Sequence, residues 1–185
     1  MNVKKELEDY KAYLRKEYGE EWFDTVSKRR VVDRSAISLG ELMRRFPIKN
    51  ILEIGRYKGF SLGWFRWLDN GVEVVSVDIE LHKEVLDLSR NLERFTLVHG
   101  TSDALRMVGG KFDLIFIDGD HRYAGAKRDW ENIQRFRGEN TVIVFDDLHH
   151  CDGCGDVFFE LCDTEDTEQI GNLGVVYSGA RDGVR

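Results

Sequence analysis

The sequence predicts an α/β protein built on an open, doubly wound sheet. Between residues 50 and 145, five short runs of mostly Val, Ile, Leu and Phe alternate with stretches of helical periodicity. Continuous apolar runs are typical of parallel strands that are buried on both faces. Because each run is followed by a helical stretch, the pattern indicates consecutive strand–helix–strand units, which assemble into one parallel sheet with helices on both sides.

Helices precede the first strand. Apolar residues recur at helical spacing over residues 2–18 and again over 31–46, each time opposite a charged face. Pro47, the only proline, ends the second stretch. We therefore expect an N-terminal helical cap (1–46) followed by an α/β core (47–185).

The core elements follow in a regular order. The predicted strands are residues 50–54, 72–77, 95–99, 112–117 and 141–145, and the predicted helices are residues 60–68, 81–92, 102–108, 121–136 and 156–162. The tail adds two strand-like runs, TEQIG and LGVVYSG, with too few residues between them for a crossover helix. Two strands joined so tightly pair as an antiparallel hairpin, which we expect at one edge of the sheet.

Length, composition and charge narrow the range of functions. A chain of 185 residues suffices for a single domain (1–185) with a substantial core. The net charge of −7 argues against a broad nucleic-acid surface, since phosphate binding needs clustered Lys and Arg. We interpret the local basic cluster Lys28–Arg30 as a solvated helix face. No apolar run approaches the ~20 residues of a membrane span or forms a secretory signal. We expect a cytoplasmic protein with neither nucleic-acid nor membrane partners.

Acidic residues recur where the predicted strands end. Glu53 lies near the end of the first strand, Asp78 follows the second, Asp118 the fourth, and Asp146 with Asp147 the fifth. In open α/β sheets, ligands bind outside the carboxyl ends of the strands. Each acid alone is explained as a helix cap or a turn former, but their recurrence along one rim predicts a binding site.

The loop after the first strand, EIGRYKGFSLG, predicts the kind of ligand. Gly55 and Gly59 are four residues apart and Tyr57 stands between them, so the loop is neither the G-x-G-x-x-G of dinucleotide sites nor a G-K-[ST] phosphate loop. It suits an adenosine-like ligand without phosphates. Asp78 lies about 23 residues further on, where a carboxylate accepts hydrogen bonds from ribose hydroxyls.

Five segments carry a resemblance to a known family: ILEIGRYKGFS, VVSVDIE, HGTSDAL, FDLIFIDGDHRYAGAKRDWENI and TVIVFDDL. In this order and spacing they resemble class I S-adenosylmethionine-dependent methyltransferases. The nearest branch is that of the small Mg²⁺-dependent O-methyltransferases of the catechol and macrolide-sugar type (methyltransferase family 24-like). The resemblance implies a Rossmann-like sheet of seven strands with a reversed last strand, and O-methylation of a small-molecule acceptor.

The resemblance also implies which residues bind S-adenosylmethionine. Asp78 would hold the ribose hydroxyls, Ser102 and Asp103 would lie by the adenine, and Glu53 and Gly55 would border the methionine end. The full expected set is Glu53, Gly55, Tyr57, Gly59, Ser61, Asp78, Ile79, Ser102, Asp103 and Asp118.

The implied chemistry uses the acids that follow the fourth and fifth strands. Asp118, Asp146 and Asp147 would bind Mg²⁺ or another divalent cation, because carboxylate oxygens suit a hard ion. His121 would take the proton of the acceptor hydroxyl as general base, and with Asp118 it forms the expected catalytic pair. The catechol enzymes have a lysine at this position, so His121 favours a sugar or another aliphatic hydroxyl. The alternatives are a metal-independent N- or O-methyltransferase and a non-catalytic cofactor-binding protein. The N-terminal helices would either cap the pocket or form a homodimer contact.

The segment HHCDGC (149–154) has the composition of a soft metal site. No second C-x-x-C accompanies it, and the adjacent His149 and His150 cannot both face one ion with good geometry. We interpret it as a loop that lines the acceptor pocket, with a structural zinc site that uses Cys151 and Cys154 as the alternative. Cys162 is expected to be buried in the following helix.

Overall fold

The computed structural model describes residues 2–27, 31–91, 94–149 and 152–179. In this part of the chain, seven strands form one sheet: β1 Asn50–Ile54, β2 Glu73–Asp78, β3 Phe95–His99, β4 Phe112–Ile117, β5 Arg137–Phe145, β6 Asp166–Ile170 and β7 Leu173–Tyr177. The strand order is β3-β2-β1-β4-β5-β7-β6. Strands β1 to β5 are parallel, and β7 runs antiparallel to both of its neighbours. The predicted doubly wound sheet with an antiparallel hairpin at one edge is thus confirmed.

Within the described ranges, seven α-helices accompany the sheet: α1 Val3–Tyr18, α2 Glu20–Ser27, α3 Val31–Arg45, α4 Phe60–Leu68, α5 Lys83–Asn91, α6 Tyr123–Ile133 and α7 Asp152–Leu161. The predicted helix over 102–108 is a 3-10 helix, Ser102–Met107. Helix α2 was not predicted, because only Phe23 and Val26 of its eight residues are buried and so short an apolar pattern gives little signal. Among the helices of the described ranges, none is long and apolar enough to cross a membrane.

The sheet separates two apolar layers. Ile51 and Leu52 are consecutive in β1 and point to opposite faces, as the two-residue period of a strand requires. Residues of α6 and α7 cover the face of Leu52, and residues of α3, α4 and α5 cover the face of Ile51. Burial on both faces explains why the strands are continuous apolar runs.

The N-terminal cap is anchored on α4 by aromatic side chains. The Tyr10 hydroxyl of α1 donates a hydrogen bond of 3.2 Å to the carbonyl of Phe60. The indole nitrogen of Trp64 donates one of 2.9 Å to the carbonyl of Ala36 in α3. Both rings are almost fully buried. These contacts hold α1 and α3 against the helix that starts from the glycine loop, next to the carboxyl ends of the strands.

The loops after β1 and β4 touch at the point where the strand order reverses. Gly55 has a φ of +83°, and a Cβ there would lie 2.0 Å from the carbonyl oxygen of Asp118. Glycine is therefore required both for the left-handed backbone and for the close approach. The switch point between β1 and β4 is where doubly wound sheets bind their ligands.

Candidate active site

A cavity of about 840 Å³ opens at this switch point. Its wall includes residues that follow β1 to β5, together with Val26 of α2 and Ala36 and Leu39 of α3. The predicted site residues that line it are Gly55, Tyr57, Ser61, Asp78, Ile79, Ser102, Asp118, His121, Asp146 and Asp147. The fold therefore brings most of the predicted rim into one space.

Three predicted residues lie away from the cavity wall. Glu53 is fully buried, and its carboxylate accepts hydrogen bonds from the hydroxyls of Ser61 and Ser76. Burial raises the pKa of Glu53 to about 7. Gly59 has a φ of +88° at the start of α4 and faces Leu88 of α5. Both residues support the glycine loop from within, so their direct contact with a cofactor stays a prediction.

The third of these residues is Asp103, which was expected beside an adenine. Its carboxylate accepts hydrogen bonds from Thr101 Oγ1 at 3.2 Å and from Asn132 Nδ2 at 3.1 Å, outside the cavity wall. A different carboxylate lines this side of the cavity. Asp129 of α6 is only 6% exposed, lines the cavity, and has its pKa raised to about 6 by burial. The Ser102 side chain and the Asp120 main chain act in the opposite direction and lower the pKa of Asp129. Because Asp129 lies within a predicted helix, nothing in the sequence indicated that its carboxylate would line the cavity.

Asp78 organises the cofactor side of the cavity through the main chain. Its Oδ2 accepts hydrogen bonds of 2.8 Å from the backbone amides of both Arg56 and Tyr57, and its Oδ1 accepts one of 2.8 Å from the amide of Glu80. Tyr57 has a φ of +44°, an uncommon conformation for a residue with a side chain. The carboxylate thus fixes the shape of the glycine loop, and with about four lone-pair positions it retains room for a further donor.

Arg56 is a structural part of this side that the sequence did not reveal. Its guanidinium is 2% exposed and donates to the carbonyl oxygens of Ser76 at 2.9 Å, Val98 at 3.1 Å and Glu80 at 3.2 Å. Burial lowers the pKa of Arg56, while the charges of Asp78 and Glu53 act in the opposite direction. The residue ties the ends of β2 and β3 to the glycine loop.

The opposite side of the cavity carries a group of potential metal ligands. One ligand atom from each of Asp118, His121 and Asp147 lies within 4.8 Å of the others. The Nε2 atom of His121 is 3.8 Å from Oδ1 of Asp118. A divalent ion with bonds of about 2.1 Å needs ligand atoms about 3 to 4 Å apart, so this group fits such an ion after a small contraction.

The group differs from the predicted metal set in one member. Asp146 lines the same cavity but is not part of the group. Its Oδ1 accepts hydrogen bonds of 2.7 Å from the hydroxyl of Ser35 in α3 and from the backbone amide of Asp147. Asp146 is 8% exposed, and these bonds compensate for the burial of its charge. His121 takes its place among the clustered atoms.

Asp147 adopts a left-handed backbone conformation, with a φ of +58°. For a residue with a Cβ this costs about 1–2 kcal/mol. The side chain of Asn172, between β6 and β7, offsets the cost by donating a hydrogen bond of 2.9 Å to Asp147 Oδ1. The turn after β5 thereby directs Asp147 into the cavity rather than along the strand.

The segment 149–154 is not the predicted pocket loop where the structure describes it. Helix α7 begins at Asp152, four residues earlier than predicted, and the described members of the segment do not line the cavity. A Cβ at Gly153 would lie 2.2 Å from the backbone nitrogen of Tyr123, so the first turn of α7 packs directly on the chain after His121. His150 and Cys151 lie outside the described residues, as do Lys28 to Arg30.

The cysteines have exchanged the roles that the sequence suggested. Cys154 is fully buried, and its Sγ lies 3.8 Å from Nδ1 of His121. Cys162, expected inside, is exposed because α7 ends at Leu161. Within the described ranges, the potential metal ligands that cluster do not include Cys154. Cys154 therefore supports the imidazole of His121 from the side opposite to Asp118.

Comparisons with known proteins agree with this architecture. Residues 52–148, just over half of the chain, match a methyltransferase domain family (family 24). The chain belongs to this methyltransferase family. Among curated proteins, none shows significant sequence similarity to the chain.

Solved structures share the fold. A proposed caffeoyl-CoA O-methyltransferase from Staphylococcus aureus aligns with a TM-score of 0.71 and 19% identity over 95% of this chain and 99% of its own. The methyltransferase PaMTH1 from Podospora anserina, solved with S-adenosylhomocysteine (SAH), aligns with a TM-score of 0.62 and 21% identity over 95% and 88%. MycE from the mycinamycin biosynthetic pathway, solved with Mg and SAH, aligns with a TM-score of 0.61 and 17% identity over 79% of this chain and 49% of MycE.

Proposed function

We propose that the chain transfers the methyl group of S-adenosylmethionine to a hydroxyl of a small molecule, a sugar or another natural product, with the help of a divalent cation and with His121 as general base. The observation that carries the proposal is that one cavity holds both a glycine loop fixed by Asp78 and the cluster of Asp118, His121 and Asp147. Donor and acceptor chemistry can therefore meet in one space.

The cofactor side suits a ligand with a ribose and no phosphate. Asp78 would accept from the ribose hydroxyls with its remaining lone pairs, while Ile79 and Ser102 would border the adenosine. Ser61 would lie near the methionine end, on the loop that is braced by buried Glu53. When bound, S-adenosylmethionine supplies a methyl group that is already activated on a sulfonium. SAH-bound PaMTH1 and MycE share the fold, which supports this choice of ligand.

The acidic side suits a divalent cation. Asp118 and Asp147 would hold it, and Asp146 would join them if its bond to Ser35 opened. A cation there supplies Lewis-acid chemistry that lowers the pKa of an acceptor hydroxyl and fixes its direction. The chain itself contributes a proton acceptor, because Nε2 of His121 faces this side of the cavity while Nδ1 faces Cys154.

Apolar residues of the cavity wall would help to orient the acceptor. Val26, Ala36 and Leu39 line the cavity, and Ala36 is next in sequence to Ser35, which is hydrogen-bonded to Asp146. This apolar surface would limit the access of water to the sulfonium and help to hold the acceptor at the ~3–3.5 Å that an in-line displacement needs.

Methyl transfer from labelled S-adenosylmethionine to a panel of sugars, macrolide glycosides and phenols tests the function. We expect turnover with a hydroxyl acceptor, loss of turnover with a chelator, and recovery when Mg²⁺ is added. SAH binding, measured by calorimetry, should persist in the chelator. Turnover that survives the chelator would favour a metal-independent methyltransferase, an alternative that the bond between Asp146 and Ser35 keeps open.

A variant of His121 separates the two roles that its position allows. If His121 is the base, His121→Ala should remove turnover and leave the affinity for Mn²⁺ unchanged. Loss of Mn²⁺ affinity in this variant would instead identify His121 as a ligand of the cation.

A further inference from the structure

Asn172 occupies an unusual place for an asparagine in a hairpin turn. It follows Gly171, which has a φ of +63°, and immediately precedes β7. Glycine and asparagine are normally found in such turns because they tolerate the backbone conformation, and both residues are usually exposed to solvent. Asn172 is instead 8% exposed. Its side chain points under the loop after β5 rather than into solvent.

Every polar group of this asparagine that faces the loop after β5 is used. Its Nδ2 donates a hydrogen bond of 2.9 Å to Asp147 Oδ1. Its Oδ1 accepts one of 3.2 Å from the backbone amide of His149, and its carbonyl accepts one of 3.2 Å from the amide of Leu148. The three bonds fasten three consecutive residues, so the loop is held as a unit.

The bond to Asp147 has a consequence for the cluster in the cavity. Asp147 is one of the three residues whose ligand atoms lie within 4.8 Å of one another, and it reaches that place through a left-handed backbone. An amide that donates to one oxygen of the carboxylate leaves its other lone pairs for a cation. Partners of this kind orient ligating carboxylates in metal sites.

From these contacts we propose that Asn172 is a positioning residue, which holds the Asp147 carboxylate in the direction needed to bind a divalent cation. The inference rests on the metal-assisted function proposed above. It adds a residue from the edge hairpin, outside the 52–148 segment that matches the methyltransferase family.

Binding of Mn²⁺ to the full chain without cofactor, followed by the electron paramagnetic resonance signal of the free ion, tests the proposal. Asn172→Ala removes the donor to Asp147 and should raise the dissociation constant for Mn²⁺ about 10- to 100-fold. Asn172→Ser is a second variant that keeps a small polar group for folding, but its hydroxyl stops short of Asp147. It should weaken binding in the same direction.

The control is Gln169→Ala in the same hairpin. The amide nitrogen of Gln169 contacts His149 Nε2 at 2.6 Å and donates to the carbonyl of Gly171 at 3.1 Å. This variant loosens the hairpin from the same loop without touching Asp147, so its Mn²⁺ affinity should equal that of the wild type. Thermal unfolding without cation records the purely structural cost of each variant.

The outcomes separate the inference from the function on which it rests. Wild-type affinity in Asn172→Ala or, should that variant not fold, in Asn172→Ser overturns the role of Asn172 alone. An equal loss in Gln169→Ala also overturns it, because the hairpin as a whole would then be responsible. A wild-type chain that binds no Mn²⁺ overturns the metal-assisted function together with the inference.

Discussion

The two sides of the cavity are built in different ways. On the cofactor side, Asp78 bonds to the backbone amides of Arg56 and Tyr57, which belong to the loop of the neighbouring strand, and it fixes main-chain shape. On the acidic side, carboxylates are directed by side chains from distant parts of the chain. Ser35 lies 111 residues from Asp146, and Asn172 lies 25 residues from Asp147.

Because the two sides are built differently, they should respond differently to amino-acid substitutions. A loop shape that depends on one carboxylate fails as a whole when that carboxylate is lost. In a cluster of separately directed side chains, one support can be lost while the others remain, so losing a support should have a smaller effect than losing a ligand. The predictions below test this contrast.

The largest effect is expected for Asp118→Ala. The side chain of Asp118 contributes a ligand atom to the cluster, whereas Gly55 approaches only the main-chain carbonyl of Asp118. Turnover should therefore fall by about 10³-fold or more, since several kcal/mol of transition-state stabilisation are removed. SAH affinity should change little. Labelled methyl transfer and calorimetry measure the two quantities, and a loss of SAH binding would place Asp118 in the donor site.

The corresponding substitution on the cofactor side is Asp78→Ala. It leaves the backbone amides of Arg56, Tyr57 and Glu80 without their acceptor, so the glycine loop loses the carboxylate that fixes its shape. We expect SAH affinity to fall at least ~30-fold. Mn²⁺ affinity should stay at the wild-type value, because the acidic cluster has its own supports. A parallel loss of Mn²⁺ binding would mean that the two sides are not independent.

Glu53→Gln should alter stability in a pH-dependent way. Burial raises the pKa of Glu53 from 4.5 to about 7, so the folded protein binds the proton more tightly than the unfolded chain does. The contribution of this proton to the free energy of unfolding is thus fully present below about pH 4.5 and is lost as the pH rises through about 7. The shift corresponds to about 3 kcal/mol.

Glutamine carries no charge and removes this pH dependence. Glu53→Gln should therefore be more stable than the wild type at pH 8 and similar to it at pH 4.5, with unfolding followed in urea at both values. A variant that is equally destabilised at both pH values would show that the bonds to Ser61 and Ser76 outweigh the burial of the charge.

The smallest effect is expected for Ser35→Ala, which removes the tie between α3 and Asp146. A hydrogen bond to a charged group contributes about 1.5–3 kcal/mol to stability. Because Asp146 keeps its bond from the Asp147 amide, we expect the free energy of unfolding to fall by an amount near the lower end of that range. Mn²⁺ affinity should not fall, because Ser35 competes for an oxygen of Asp146. Thermal unfolding and Mn²⁺ titration measure both quantities, and weaker Mn²⁺ binding would make Ser35 a support of the cation site.

Much of the fold was accessible from the sequence. Strands β1, β3 and β4 begin and end where the apolar runs predicted, and the tight connection in the tail predicted the hairpin of β6 and β7. The sequence did not predict α2, whose apolar pattern is short, and the predicted start of α7 was four residues too late because Asp152 and Gly153 resemble loop residues. Gly153 is tolerated in that helix because its lack of a side chain lets α7 approach the chain after His121.

By itself, the sequence determined the sheet, the hairpin and the line of acids along one rim. Each of these follows from a local pattern: an apolar run buried on both faces, a connection too short for a crossover, an acid directly after a strand. Only the tertiary structure decided where the carboxylates and the imidazole point. Ser35, Cys154 and Asn172 reach Asp146, His121 and Asp147 from elements distant in the chain. No local pattern encodes a hydrogen bond between residues that only folding brings together.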